Sequence, residues 1–208
     1  MGRVWVVVVA AGAGRRFGGA KQYQALAGRR VLDWSLDAAR AVADGVVVVV
    51  APDRVGDDEP AADAVVAGAG TRSGSVRAGL AAVPDDAAVI VVHDGARPLA
   101  GADLFTAVVD AVRGGADAAV PGVPVDDTLR ARAGGVVDRS GLVAVQTPQA
   151  FRAAALRKAH AGGGEATDDA SLVEAAGGKV VVVDGSPTNL KITRPSDLAV
   201  AEALLRAR

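Results

Sequence analysis

The sequence predicts an α/β domain in which helices flank a mostly parallel β-sheet. Short apolar runs rich in valine alternate along the chain with segments of helical pattern. Runs that are apolar throughout are typical of strands buried on both faces, and alternation of strand with helix is typical of parallel sheets. No linker or charge block divides the chain, so residues 1–208 are predicted to form a single domain.

Five runs are predicted to be strands, and six segments are predicted to be helices. The predicted strands are Val4–Ala10, Val46–Ala51, Ala88–His93, Ala118–Val123 and Val180–Val183. The predicted helices are Val31–Ala43, Ser75–Ala82, Ala102–Arg113, Ala153–His160, Asp168–Ala176 and Ser196–Arg206. The last helix has a clear start, because Pro195 suits the first helical position and Asp197 is favourable in the first turn.

One region, Pro124–Gln146, breaks the alternation. Two extended segments flank Ala133-Gly134-Gly135 with no helical pattern between them, and this arrangement predicts a protruding β-hairpin arm at 124–146. Such an arm either packs on a second subunit or forms a flap on the surface, and the residues alone leave both open.

Composition and charge exclude several functional classes. The 23 Lys and Arg residues are balanced by 24 Asp and Glu residues, so no basic surface for nucleic acid is expected. Cysteine is absent, which excludes disulfides and thiol nucleophiles and is consistent with a reducing compartment. The first apolar run is far shorter than the ~20 residues of a spanning helix, and no signal peptide is evident. We therefore expect no membrane partner and a cytoplasmic location.

The two histidines do not predict a metal site. His93 closes a predicted strand and is expected to be structural, whereas His160 lies on a polar helix and is expected to face solvent. Neither has a carboxylate at the spacing of a metal ligand set, so no metal-ligating residues are predicted.

A glycine-rich turn follows the first predicted strand. The segment at 10–16 is AAGAGRR, in which glycines allow the backbone to approach a ligand closely. Arg15, Arg16 and Lys21 supply cations where a polyphosphate would lie. The dinucleotide fingerprint fails at Phe17, and the P-loop pattern fails because Gly19 is not followed by Lys and Ser or Thr. The segment predicts a phosphate-binding turn, with a plain strand-to-helix connection as the alternative.

Asp94 and Arg97 follow the third predicted strand. Ligands of open parallel sheets bind at the carboxyl ends of the strands, so Asp94 is placed to meet a substrate hydroxyl or a metal-bound nucleotide. The alternative is that Asp94 caps the following turn and pairs with Arg97.

Two further segments are candidates for ligand contact. A second glycine-rich turn, Gly68–Gly70, precedes a helix, where backbone N–H groups and Ser75 can bind a base edge or an anion; alternatively, Ser73 or Ser75 is a helix cap. Lys191 lies in an extended segment before the last helix, from which it either reaches a ligand or points into water.

Taken in order, these motifs resemble the 2-C-methyl-D-erythritol 4-phosphate cytidylyltransferase family, and the match spans nearly the whole chain. The matching motifs are Ala10-Ala11-Gly12-Ala13-Gly14-Arg15-Arg16, Lys21-Gln22-Tyr23, His93-Asp94-Gly95-Ala96-Arg97-Pro98, Pro124-Val125-Asp126-Asp127-Thr128, Val137-Asp138-Arg139, Thr147-Pro148-Gln149, Thr167-Asp168 and Lys191-Ile192-Thr193-Arg194-Pro195.

The resemblance implies a Rossmann-like nucleotidyltransferase fold, a homodimer built through the hairpin arm, CTP and Mg²⁺ as co-reactants, and a role in the non-mevalonate route to isoprenoids. It implies that Arg16 and Lys21 stabilise charge on the triphosphate. Arg139, reaching across the dimer, and Lys191 would position methylerythritol phosphate. The implied substrate-side residues are Asp94, Arg97, Thr128 and Thr147, and the implied CTP-binding residues are Ala10, Ala11, Gly12, Gly14, Ala69, Gly70 and Ser75.

The chain departs from the family pattern at three places. Fewer residues than usual separate Arg16 from Lys21, with Ala20 where a proline is common, so the reach of the lysine is in question. Ala69 replaces the second glycine of a pair that contacts cytosine, which bears on base selectivity. Gly95 stands where alanine is common, and this change is expected to be mild.

The implied chemistry needs no catalytic histidine or cysteine, because a phosphate monoester is already an anionic nucleophile. Mg²⁺ would be held mainly through the CTP phosphates and water. Two other functions remain open: a cytidylyltransferase for another polyol phosphate such as ribitol 5-phosphate, and a non-catalytic nucleotide-binding dimer. Cations converging on a reacting phosphorus speak against the second.

Overall fold

A computed structural model describes residues 2–207 of the chain. Its strands are β1 (Arg3–Val9), β2 (Ala25–Leu26), β3 (Arg29–Arg30), β4 (Gly45–Val50), β5 (Ala64–Ala67), β6 (Ala87–Asp94), β7 (Ala118–Pro124), β8 (Leu129–Arg130), β9 (Val136–Val137), β10 (Val143–Val145), β11 (Gln149–Arg152) and β12 (Val180–Asp184). Its α-helices are α1 (Val31–Arg40), α2 (Arg72–Ala81), α3 (Ala102–Arg113), α4 (Ala153–Ala161), α5 (Asp169–Ala175) and α6 (Ser196–Arg206). Single 3₁₀ turns occur at Lys21–Tyr23 and Pro52–Arg54.

The central sheet has eight strands and is mostly parallel, as predicted. Its order is β10-β7-β11-β6-β1-β4-β5, with β12 also paired to β7. The strands β10 and β11 run antiparallel to their neighbours. The chain passes from β1 to β4 on one side and later returns to β6 on the other, so the order reverses beside β1. In sheets of this kind, ligands bind outside the carboxyl ends of the strands at such a reversal.

Helices cover both faces of the sheet, and β1 shows how the sequence directs this. Its side chains alternate: Val4, Val6 and Val8 pack with α1 and α3 on one face, whereas Trp5 and Val7 pack with α2, α4 and α5 on the other. Both faces are buried, which explains why the run is apolar throughout. The helix α6 contributes to a third, smaller cluster with residues of the β2–β3 hairpin.

A glycine in α2 allows that helix to approach the sheet closely. A Cβ atom on Gly79 would lie 2.4 Å from Cγ1 of Val7 and 2.9 Å from Cγ2 of Val49. A side chain at this position would therefore push α2 away from β1 and β4. The close approach brings the start of α2 to the carboxyl ends of these strands.

The predicted hairpin arm is present. The strands β8 and β9 pair antiparallel, and β10 returns along β7. Gly134 and Gly135 at the tip both have positive φ, a conformation that glycine adopts without steric cost.

The structure differs from the sequence-based prediction in some of the strands, in the start of one helix and in the environment of one histidine. The strands β5 and β11 were not predicted, and β11 inserts antiparallel between β6 and β7. The helix α2 begins at Arg72, three residues before the predicted start. The expectation for His160 was wrong: it is buried, and its Nε2 lies 3.0 Å from Oδ1 of Asp169, because α4 packs against α5.

Candidate active site

A cleft of about 610 Å³ opens beyond the carboxyl ends of the central strands. It is formed by the first glycine-rich turn, the second glycine-rich turn, the end of β6 and the segment before α6. Among the predicted site residues, those that line it are Ala11, Gly12, Gly14, Arg16, Lys21, Ala69, Gly70, Ser75, Asp94 and Lys191. Residues from four distant parts of the sequence thus meet in one cavity.

The first turn closes back on Gly14. The carbonyl oxygen of Gly14 accepts hydrogen bonds from the N–H groups of Phe17 and Gly18, at 2.8 and 3.0 Å. Gly14 has φ of +61°, and a Cβ atom there would lie 1.8 Å from the carbonyl oxygen of Gly19. The turn therefore requires glycine at this position.

The first turn presents unpaired positive groups to the cleft. Within residues 2–207, the backbone N–H groups of residues 11–16 donate no internal hydrogen bond. In the same part of the chain, Arg15, Arg16 and Lys21 have no carboxylate within salt-bridge distance. Successive free N–H groups beside cations form a concavity that binds anions. This geometry suits a polyphosphate.

Gln22 fixes the shape of the turn. It is buried, and its Nε2 donates to the carbonyl oxygens of Ala10 at 2.5 Å and Gly12 at 3.2 Å. Two carbonyl oxygens are thereby engaged, and the free N–H groups are left for a ligand. No role was predicted for Gln22 from the sequence, although its position directly after Lys21 was a signal.

Lys21 reaches the cleft despite the short segment that separates it from Arg16. Its Nζ donates to the carbonyl oxygen of Ile192, which ties the turn to the segment before α6. Burial lowers the pKa of Lys21, and the nearby charges of Lys191 and Arg16 lower it further against the opposing effect of Asp94. A bound anion would relieve this unfavourable environment.

The second turn is stabilised by Ser75 and capped by Thr71. The Oγ of Ser75 accepts the N–H of Ala69 at 3.0 Å and donates to the carbonyl oxygen of Thr71 at 2.9 Å. The N-cap of α2 is Thr71, whose Oγ1 accepts the N–H of Gly74, so neither Ser73 nor Ser75 is the cap. A Cβ atom on Gly68 would lie 2.2 Å from Cβ of Ala11, and glycine here lets the two turns approach each other.

A second cavity of about 150 Å³ adjoins the cleft. The two cavities share Arg72, Asp94 and Lys191. Arg97 and Thr147, both predicted on the substrate side, line the smaller cavity. The arrangement provides room for two ligands on either side of a common charged wall.

Asp94 is the centre of that wall. Its Oδ2 lies 2.6 Å from Nζ of Lys191 and 3.8 Å from Nε of Arg97, and its Oδ1 lies 3.9 Å from Nε of Arg72. Burial alone would raise the pKa of Asp94, but Lys191 and the two arginines outweigh it and lower the pKa to about 2. The pairing with Arg97 that the sequence suggested is present, yet Lys191 is the closer partner.

His93 contacts the residue that holds the backbone of Asp94 in place. The Oγ1 of Thr147 accepts the N–H of Asp94 at 3.0 Å and lies 3.2 Å from Nδ1 of His93. Burial lowers the pKa of His93 to about 4, so the ring is neutral near pH 7 and forms a hydrogen bond with the Thr147 hydroxyl through Nδ1. The histidine thus has the structural role that the sequence analysis expected.

The match to a family model decides the family. The model described as IspD: 2-C-methyl-D-erythritol 4-phosphate cytidylyltransferase matches residues 4–207. This chain belongs to that family.

Relatives within the cytidylyltransferase family cover the chain almost completely. The enzyme of this name from Streptomyces coelicolor is 44% identical, over 99% of this chain and 86% of its own length. The crystal structure of the Thermus thermophilus enzyme is 40% identical with a TM-score of 0.83, and it covers 96% of this chain and 98% of that one. The fold of this chain matches that structure, and this confirms the Rossmann-like nucleotidyltransferase fold that the family resemblance implied.

Other relatives in the family are longer. The bifunctional enzyme IspD/IspF of Dinoroseobacter shibae is 44% identical over 99% of this chain, which spans 54% of the length of that enzyme. The bifunctional enzyme of Clavibacter michiganensis is 45% identical over 98% of this chain, which again spans 54% of the length of that enzyme. The chain therefore spans about half the length of these first relatives.

Three residues assigned through the cytidylyltransferase resemblance do not line either cavity of this protomer. Ala10 is buried, with its carbonyl oxygen bound by Gln22. Thr128 and Arg139 lie exposed on the arm, where Nη1 of Arg139 donates to the carbonyl oxygen of Val125 at 2.7 Å. A single protomer therefore does not bring Thr128 or Arg139 into the site, and the roles implied for them stay predictions.

The donor set of the cleft fits Mg²⁺ that is carried by a nucleotide. Within residues 2–207, no group of three or more His, Asp or Glu side chains is arranged to hold a metal ion. Asp94 is the one carboxylate among the described residues that line the cleft, and Lys191 occupies one of its oxygens. Mg²⁺ keeps several waters and needs few protein ligands, so this set suits an ion bound mainly to phosphates.

Membrane insertion through a helix finds no support in the described residues. Between residues 2 and 207, no helix combines the length and the apolar character needed to cross a bilayer.

Proposed function

We propose that this chain transfers the cytidylyl group of CTP to 2-C-methyl-D-erythritol 4-phosphate, giving 4-diphosphocytidyl-2-C-methyl-D-erythritol and pyrophosphate in the non-mevalonate route to isoprenoids. The observation that carries the proposal is the pair of adjoining cavities in a chain of this family: one has unpaired cations and free N–H groups, and the other has Lys191 at its wall. A cytoplasmic location belongs to the same proposal and is consistent with the absence of cysteine.

The first turn would hold the triphosphate. Its free N–H groups and the side chains of Arg16 and Lys21 would neutralise charge on the phosphate oxygens as it develops in the transition state. These groups are fixed before the ligand arrives, since Gln22 and Gly14 hold the turn in one shape. Mg²⁺ bound to the phosphates would supply further stabilisation of their negative charge.

The smaller cavity would hold methylerythritol phosphate. Lys191 would attract its phosphate, while Thr147, Arg97 and Asp94 would line the polyol. An oxygen of this phosphate would attack the α-phosphorus of CTP in line, and pyrophosphate would leave. Because the second pKa of a phosphate monoester is about 6, the nucleophile is already anionic near pH 7 and needs no general base.

A homodimer through the arm is part of the proposal. Val143 of β10 and Val182 of β12 are 41% and 55% exposed, and both flank Gly122 of β7. Val136 at 64% exposure and Leu142 at 42% are further exposed apolar residues of the arm, and we propose that a second subunit covers these side chains. In such a dimer we expect Arg139 to act in the site of the neighbouring subunit, as the family resemblance implies.

The test of the activity is pyrophosphate release by the purified protein with CTP, Mg²⁺ and one acceptor at a time. We expect release with methylerythritol phosphate and little with ribitol 5-phosphate, and Lys21→Ala serves as the matched inactive control. Preference for ribitol 5-phosphate would support the other cytidylyltransferase function. CTP binding without release on any polyol phosphate would support a non-catalytic binding protein.

The test of the shared site is subunit complementation. Lys21→Ala protein and Arg139→Ala protein are each expected to be inactive, but a mixed dimer contains one site in which both residues are intact. We expect mixing to restore part of the activity. Arg132→Ala, a change of another exposed arginine on the arm, should stay active. No recovery after verified subunit exchange would refute a role for Arg139 across the dimer.

A further inference from the structure

Arg72 lies in the wall that separates the two cavities. It is the first residue of α2, and it lines both the 610 Å³ cleft and the 150 Å³ cavity. Its side chain is 25% exposed. No role was predicted for Arg72 from the sequence.

Two carboxylates lie within salt-bridge distance of Arg72. Its Nη1 lies 2.8 Å from Oδ2 of Asp169, and its Nε lies 3.9 Å from Oδ1 of Asp94. The Asp169 side chain is fully buried, lines neither cavity and is also bound by His160. Asp169 therefore anchors the arginine from outside the site.

The location of Arg72 is unfavourable for the helix itself. A cation in the first turn is repelled by the positive end of the helix dipole, where a carboxylate would be favourable. Burial would lower the pKa of Arg72, but Asp169, Asp94 and Asp168 raise it. The surrounding acids thus compensate a charge that α2 does not need for its own stability.

Arg72 and Lys191 face different oxygens of one carboxylate, and Lys191 is the closer of the two. Lys191 holds Oδ2 of Asp94, while Arg72 faces Oδ1. Two cations on two oxygens restrict rotation of the carboxylate, and the direction of Lys191 depends on that carboxylate. A chain of contacts therefore runs from the buried Asp169 through Arg72 and Asp94 to the lysine beside the proposed acceptor.

We propose that Arg72, anchored by Asp169, is a positioning residue that holds Asp94 and Lys191 in the orientation needed between the two substrates. This inference rests on the proposed function. The role of Arg72 is to align the reacting groups and not to bind the nucleotide directly.

The test uses Asp169→Asn and Arg72→Lys. Arg72→Met is avoided because it would leave the buried Asp169 without its cation. Both chosen variants are expected to lower kcat about tenfold or more, since small misplacements of reacting groups are costly.

The dissociation constant of CTP, measured by calorimetry, is expected to stay within about twofold of the value for the unaltered protein. The double variant should be about as active as the less active of the two single variants, because both changes break one chain of contacts.

Arg77 provides a matched control. It lies on the same helix, and its Nη2 pairs with Oε1 of Glu165 at 2.7 Å, but it lines neither cavity. Arg77→Met is expected to keep kcat. An equal loss of kcat in Arg77→Met would mean that any ion pair of α2 has this effect, and it would overturn the proposal.

A second readout does not depend on activity. Labelling of lysines with acetic anhydride, followed by mass spectrometry, reports how firmly Lys191 is held, with the exposed Lys158 as internal reference. We expect labelling of Lys191 to rise in folded Asp169→Asn protein. If the unaltered protein used no acceptor, the proposed function would fail, but labelling would still decide the positioning role. Unchanged labelling together with unchanged kcat, or a loss confined to CTP affinity, would overturn that role.

Discussion

The cations at the two ends of the site differ in their partners. In residues 2–207, Arg15, Arg16 and Lys21 of the first turn have no carboxylate within salt-bridge distance, whereas Lys191, Arg97 and Arg72 all surround Asp94. The first group would repel itself in the absence of a ligand. The second group is already neutralised in part by the protein.

This difference indicates how the two ends bind anions. A highly charged triphosphate can supply all the negative charge that the first turn lacks, and the unpaired cations there act most strongly on the charge that develops in its transition state. A phosphate at the other end must share Lys191 with Asp94, so the electrostatic contribution of Lys191 is smaller. Geometry and alignment should therefore matter more at the acceptor end, and charge should matter more at the turn.

The largest effect is expected at the turn with unpaired cations. Arg16→Ala and Lys21→Ala should each lower turnover by about a hundredfold or more, because removing one such donor typically costs ~3 kcal/mol of transition-state stabilisation. CTP affinity should fall much less. Steady-state kinetics and calorimetry with CTP would measure both quantities. Arg29→Ala, which removes an exposed arginine paired with Asp37, is the control and should be nearly silent. Near-normal turnover with reduced CTP affinity would contradict the comparison.

The next effect concerns the buried support of the acceptor end. The pKa of His93 falls from 6.5 to about 4 on folding, so between these values the unfolded chain binds more protons. Stability should therefore decrease as pH falls through this range, by about 2 kcal/mol at about pH 5 for this residue. Asp94, whose pKa is lowered from 3.8 to about 2, also stabilises the fold, but this stabilisation is lost only as the pH falls below 3.8. Chemical denaturation at several pH values measures the change.

The matched variant for this prediction is His93→Gln. It removes the titrating ring and keeps a polar group beside Thr147, so the loss of stability between pH 6.5 and about pH 5 should become smaller. An unchanged dependence on pH would assign the effect to other groups and remove His93 from the account.

The smallest effect is expected at Lys191. Lys191→Gln keeps the length of the side chain and removes the charge, so the KM for the acceptor should rise about tenfold and kcat should fall through lost alignment. Lys191→Arg should keep partial activity, because it retains the charge in a planar group. Kinetics with each substrate varied in turn would show which side is affected. A defect confined to CTP would place Lys191 at the wrong end of the site.

Uniform sequence patterns predicted most of the fold. The strand β4 is GVVVVV and fully buried, so both its type and its depth follow from composition. The arm followed from two adjacent glycines between extended segments. The strand β11 could not be predicted, because QAFR is short and has no periodic pattern. It is stabilised by its neighbours, as shown by the pairing of Phe151 with Ile90 and Ala118.

The parts of the candidate site that could be predicted are those in which a short sequence motif by itself indicates ligand binding. Glycines and cations in the first turn indicated an anion site, and the position of Asp94 after a strand indicated a ligand edge. The contact of Lys191 with Asp94 joins residues 97 positions apart, and no local signal predicts it. Arg72 contacts the buried Asp169, which is far from it in sequence, so the sequence alone did not separate it from ordinary surface residues.

The hydrogen bond from Lys21 to Ile192 has a consequence for folding. It joins two residues 171 positions apart, so the cleft has a high contact order. Contacts of this kind form late, since the entropy of closing the long loop must be overcome before they become stable. A nascent chain that has reached only α4 can already contain both glycine-rich turns, yet it lacks one wall of the cleft. Synthesis from the amino end therefore delays assembly of the site until nearly the whole domain is available to fold.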